Sequence, residues 1–100
     1  MSLERSLCFD HHHPALPGHF PGDPIVPGVV ILDAVEQALA ATLGPGHISA
    51  LPAVKFLSPL RPGETLTIRV EPLRPPGQYR FGCACGERMV AQGQLAWEPA

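Results

Sequence analysis

Residues 29–43 read VVILDAVEQALAATL, an uninterrupted run without proline or glycine in a chain that carries 13 prolines and 10 glycines among its 100 residues. Pro27 and Gly28 stand where a helix begins, and Gly44, Pro45 and Gly46 stand where it stops. The run predicts one helix, Val29 to Leu43. Val29, Val30, Ile31, Leu32, Ala34, Val35, Ala38, Leu39, Ala40, Ala41 and Leu43 make it apolar nearly all round, so it is expected at the centre of the fold. Its polar residues stand out against that background. Asp33, Glu36 and Gln37 fall at i, i+3 and i+4, on one side of the helix and within reach of each other. An acid in such a helix has to be paired, protonated or open to a cleft, because an unpaired buried charge is expensive.

On the N-terminal side, Pro14, Pro17, Pro21, Pro24 and Pro27 with Gly18, Gly22 and Gly28 rule out a helix. They describe a stiff, specifically folded loop, and His19 lies within it. A single histidine is most often a surface or satisfied core residue; one held in a locked loop just before an apolar helix is a candidate for chemistry. The free N–H groups and positive dipole end at Gly28 would point toward whatever that loop holds.

On the C-terminal side the chain is strand-like. Ile48 to Leu57 is a mixed apolar run, and Ser58 to Gly63 is a turn. Thr65 to Glu71 alternates Leu66, Ile68 and Val70 with Thr67, Arg69 and Glu71, the period of a half-buried strand. After a connection at Pro72 to Gly77, Tyr79, Phe81, Cys83 and Cys85 alternate with Arg80, Gly82 and Ala84. A turn at Gly86 then leads to a last strand from Arg88 to Trp97. With Leu3 to Asp10 as an opening strand, the order is β, loop, α and four β. This is an α+β architecture in a single domain, an antiparallel sheet of about five strands wrapped around one long helix.

Composition narrows the function. With 45% apolar and 16% charged residues and a formal charge of −2, the chain can bury a core and lacks the polycationic surface that holds nucleic acid. No apolar run approaches the roughly 18 residues of a membrane span, and the N-terminus lacks the order of a secretory signal, which together predict a soluble, cytoplasmic protein. Three cysteines, an odd number, argue against a disulfide framework and suit thiols that fill core space. Zinc would need the run His11, His12 and His13 as ligands beside the cysteines, and that run reads as surface polarity, so no metal site is expected.

The string HFPGDPIVPGVVILDAVEQAL, residues 19–39, resembles the active-site segment of the β-hydroxyacyl-acyl carrier protein dehydratases, which have the hot-dog fold. The likeness takes in the histidine, both PG pairs and an acid fourteen positions after the histidine. That acid is Asp33, as in the 3-hydroxydecanoyl dehydratase/isomerase branch. Downstream, Val54 to Phe56 with Pro59 to Leu66, and Val90 to Gly93, resemble the family's later strands. The resemblance implies that His19 is the catalytic base and Asp33 its acid partner, with the pair assembled from two subunits of a homodimer or larger oligomer. It further implies that the Gly28 N–H polarises the thioester carbonyl, that the Ile25 carbonyl fixes the histidine ring and that Gln37 orients the acid or its water. Phe20 and Pro27 would position the substrate, while Glu36 has no role in the family and reads as a solvated or capping group.

The implied chemistry suits these residue types. Histidine titrates near neutrality, at about 6.5, and can take a proton from C2, while an Asp kept protonated by an apolar helix can give one to the departing hydroxyl at C3. No cofactor is implied beyond the phosphopantetheine arm of the acyl carrier protein, the expected partner. Carrier proteins are acidic, which makes Arg5, Lys55, Arg61, Arg74 and Arg80 candidates for a docking patch. The stretch before His19 is shorter than in the family, and shortening there would trim the substrate tunnel or the dimer contacts. Two other readings use the same fold: an acyl thioesterase with a helix carboxylate, and a non-catalytic subunit that pairs with an active partner.

Overall fold

The computed structural model describes residues 2–9 and 25–100. His19, Phe20, the run His11 to His13 and the rest of the Pro/Gly-rich loop up to Pro24 lie outside the described residues. Strand β1 (Leu3–Cys8) is followed by helix α1 (Gly28–Leu43) and strands β2 (Gly46–Phe56), β3 (Thr65–Pro72), β4 (Gln78–Cys85) and β5 (Arg88–Pro99). The five strands form one antiparallel sheet in the order β1-β3-β4-β5-β2. The strands on either side of α1 therefore occupy opposite edges of the sheet.

The period-2 pattern sets the sheet's two faces. Leu66, Ile68 and Val70 of β3, Phe81 and Cys83 of β4 and Leu95 of β5 are buried against Ile31, Val35, Ala38 and Leu39 of α1. Outward-facing partners meet in register: Ser6 with Thr67 at 3.1 Å, Glu4 with Arg69 at 2.7 Å and Glu71 with Arg80 at 3.0 Å. Cys83 is a free thiol in the core, and burial pushes its titration up to about 12. Cys8 is exposed and Cys85 is half-buried, so core filling, expected of the thiols generally, holds fully for Cys83 alone.

The helix ends where Gly44 adopts a φ of 95°, its N–H donating to the Ala40 carbonyl at 2.9 Å. Strand β2 tolerates Pro52 because it is an edge strand and because its register with β5 shifts between Ile48, Ala50 and Ala53. Gly93 on β5 is required at this point, since a Cβ there would collide with the Ala53 carbonyl oxygen. The β2 to β3 turn is braced by Glu64. Its carboxylate accepts from both terminal nitrogens of Arg88, at 3.2 and 3.0 Å, and from the Arg61 backbone N–H at 2.8 Å. The Arg88 and Arg61 hydrogen bonds hold the Glu64 carboxyl below its ordinary value of 4.5.

One expectation needs correcting. The described residues cover the helix on one side only: Val29 is 72% exposed, and Asp33, Gln37 and Ala41 on the same side are exposed as well. A single sheet reaches one side of a helix, so apolar residues all round signal a second covering layer, one that the described residues do not supply.

Leu39 makes no contact with solvent, and Leu39→Ala is expected to lower stability by about 2–5 kcal/mol in urea unfolding. The Glu64 contribution has the opposite pH sense to that of a thiol such as Cys83. Because the native carboxyl is depressed, it is fully present above the unfolded value and is lost as pH falls through the native one. The melting difference between wild type and Glu64→Gln should therefore shrink from about pH 6 to about pH 3.

Candidate functional site

Asp33 sits in the second turn of α1 on the side its own sheet leaves bare. One turn on, Gln37 donates its Nε2 hydrogen to Asp33 Oδ2 at 2.9 Å, and among the described residues nothing hydrogen-bonds the other carboxyl oxygen. The two line a cleft of about 250 Å³ whose far wall is Arg5, Leu7 and Phe9. Arg5 shares a strand face with Leu3 and Leu7, so this cation stands on the helix side of β1. The sequence carried that signal in the period-2 spacing of Leu3, Arg5 and Leu7.

The entrance to α1 forms a second cleft, of about 460 Å³. Pro27 caps the helix, its carbonyl accepting from the N–H groups of Val30 at 3.0 Å and Ile31 at 3.3 Å. No side chain caps this end, and among the described residues no acceptor meets the Gly28 N–H. The bare Gly28 Cα lets the Phe56 ring lie directly on the helix start. A Cβ at that position would come within 2.7 Å of the ring's Cζ. Phe56 was not singled out by sequence, and half of it, 52%, is exposed beside Ile25 and Leu57.

Gly28 and Asp33 are five residues apart, which at about 100° per residue turns them roughly 140° from each other around the helix. They line different clefts accordingly. A single chain brings Asp33 to Gln37 but not to its own Gly28.

The cations expected to form one docking patch are divided. Arg5 faces the helix side, whereas Lys55 and Arg80 line a groove on the outer face of the sheet, where Arg80 is paired with Glu71. Glu36 is half-buried and does not cap the helix. Its Oε2 accepts the backbone N–H of Ile48 on β2 at 2.9 Å. Among the described residues there is no group of three or more His, Cys, Asp or Glu side chains placed to hold a metal ion.

Comparison with known proteins identifies the class. The ApeI-like family, described as ApeI dehydratase, matches residues 1–94, and the chain belongs to that family. The 3-hydroxyacyl-[acyl-carrier-protein] dehydratase FabZ of Chlamydia trachomatis serovar L2 is 34% identical over 99 residues, covering 86% of this chain and 65% of its own length. The chain thus spans a little under two thirds of that relative. Among solved structures, the dehydratase heterocomplex ApeI:P from Xenorhabdus doucetiae superposes with a TM-score of 0.83 at 28% identity, over 96% of this chain and 86% of the other. A mutant of the fluoroacetyl-CoA-specific thioesterase FlK superposes with a TM-score of 0.72 at 17% identity, over 96% of this chain and 87% of the other, a likeness of fold alone. The fold is the hot-dog fold.

Gly28→Ala should displace the Phe56 ring, because that ring is exposed and free to swing away. Its unfolding free energy should stay within about 1 kcal/mol of wild type. Ring chemical shifts of Phe56 together with a urea melt check this; a loss of several kcal/mol would mean that the ring cannot move.

Proposed function

We propose that this chain is a hydro-lyase that removes water from a 3-hydroxyacyl thioester carried on acyl carrier protein, giving the trans-2-enoyl thioester. The hydrogen bond from Gln37 to Asp33 at the mouth of a cleft carries this reading, because it holds a helix acid in one orientation with its second oxygen open. His19 takes the proton from C2, and the C2–H electron pair forms the C2=C3 double bond as the C3–O bond breaks. Asp33 gives its proton to the leaving hydroxyl, which departs as water. The Gly28 N–H meets the thioester oxygen, where negative charge develops. Ile25 and Pro27, at the helix entrance, and Phe20 would keep the histidine and the acyl chain in place. The chemistry needs an acid and a base and no cofactor beyond the phosphopantetheine that carries the substrate, and the compartment proposed for it is the cytoplasm.

Two chains make one site in this reading. Gly28 and Asp33 point to different sides of one helix, so the base and N–H of one chain face the acid of another. A second hot-dog chain over Val29, Asp33 and Gln37 would cover the bare side of α1 and close the cleft around the acid. The open edge of β2 extends the same surface. The second chain is a copy of this one or a different subunit, the latter as in a heterocomplex such as ApeI:P.

Incubation with a 3-hydroxyacyl carrier-protein thioester should yield the enoyl product, and His19→Ala and Asp33→Asn should each lower kcat by about 100-fold or more. Mixing the two inactive variants should restore about a quarter of the wild-type activity, because half of the dimers pair one variant with the other and each such dimer holds one intact site. Release of the free acid would instead favour a thioesterase. No reaction until a second hot-dog chain is added would make this the non-catalytic partner.

A further inference from the structure

We propose that Glu36 is a positioning residue for the Asp33 site, acting by tying helix α1 to the open edge of strand β2. The inference rests on the dehydratase reading of that site and gives a role to a residue which the family resemblance leaves without one.

The Trp97 N–H donates to Gly77 on the β4 side at 2.7 Å, so Trp97 and Ile48, which are register partners, form a pair without hydrogen bonds between them. The Ile48 N–H consequently faces away from β5, toward the open edge of the sheet. Glu36 reaches it from the helix at 2.9 Å, in partly buried surroundings. Among the described residues this is the one hydrogen bond between α1 and the sheet.

The other contacts that seat the helix are apolar: Ile31, Val35, Ala38 and Leu39 on the inner face of the sheet. Such contacts are non-directional, and alone they allow small rotations and slides along the helix axis. A hydrogen bond from a carboxylate to a backbone N–H is directional and charge-assisted. Glu36 follows Asp33 by three residues and precedes Gln37 by one, so the turn it fixes is the turn that carries the acid and its orienting amide. A misplacement of about 1 Å at a reacting group can cost on the order of 100-fold in rate, which makes this tie relevant to catalysis and not only to folding.

The test compares Glu36→Ala, which removes the acceptor, with Glu36→Gln, whose amide oxygen can still accept the Ile48 N–H. Two readouts are used: steady-state kinetics with a 3-hydroxyacyl carrier-protein thioester, and hydrogen exchange at the Ile48 amide. Glu36→Ala is expected to lower kcat about tenfold with KM within about twofold of wild type, while Glu36→Gln keeps both within about twofold. The Ile48 amide should be protected in wild type and in Glu36→Gln and exchange freely in Glu36→Ala. The proposal is overturned if Glu36→Ala keeps wild-type kcat, if Glu36→Gln falls as far as Glu36→Ala, or if the Ile48 amide exchanges alike in wild type and variants. If Glu36→Ala does not fold, Glu36→Gln and its Ile48 amide decide the matter. A wild-type protein that makes no enoyl product would defeat the dehydratase reading and the catalytic half of this one, whereas the Ile48 amide would still report on the tie itself.

Discussion

Everything in this molecule depends on how little of its helix one sheet can cover. Five strands bury Ile31, Val35, Ala38 and Leu39 and leave Val29, Asp33, Gln37 and Ala41 outside. The bare strip is where a carboxylate can sit without the cost of an unpaired charge in a closed core. It is also where an apolar residue such as Val29, 72% exposed, is left uncovered by the described residues. The same geometry that makes room for the acid leaves an apolar strip beside it, and the partner surface proposed above would answer both.

The supporting contacts converge on the entrance to that helix. Val26 donates its N–H to the carbonyl of Leu60 at 2.7 Å, and Leu60 is fully buried in the turn that Glu64 and Arg88 brace. The brace is polar and partly exposed, the anchor it steadies is apolar and buried, and Gly28 follows two residues after Val26. The backbone N–H groups at the helix start thus inherit their position from an ion pair on a turn distant in sequence. More than two turns further along the helix, Gln37 and Glu36 hold one side chain and one backbone group respectively.

Much of this was legible in the sequence. The helix bounds follow from Pro27 and Gly44, and the inner face of β3 follows from the alternation of Leu66, Ile68 and Val70, because those signals are local. The family was legible from the histidine, the PG pairs and Asp33. Which side of the helix is covered was not, since an all-round apolar pattern looks alike whether its second layer comes from the same chain or from another. Nor could spacing show that Glu36 reaches a strand edge or that Phe56 rests on Gly28, because both contacts join segments whose separation in sequence says nothing of their approach in space. The expectation of one cationic patch failed for a related reason: Arg5 and Arg80 occupy strand positions of opposite parity relative to the core, and a strand sends such residues to opposite faces.

The pairing of β1 with β3 carries a further consequence. Leu3 lies against Val70 and Cys8 against Thr65, so more than half the chain separates the partners, whereas β3, β4 and β5 are joined by short turns. Closing so long a loop costs more entropy than closing the hairpins, and β1, as an edge strand, has one neighbour to repay it. Yet β1 supplies Arg5 and Leu7, the wall opposite Asp33. The acid cleft is therefore bounded on one side by the central helix and on the other by the least local strand of the fold, and its width is set by the element with the smallest claim on the rest of the structure.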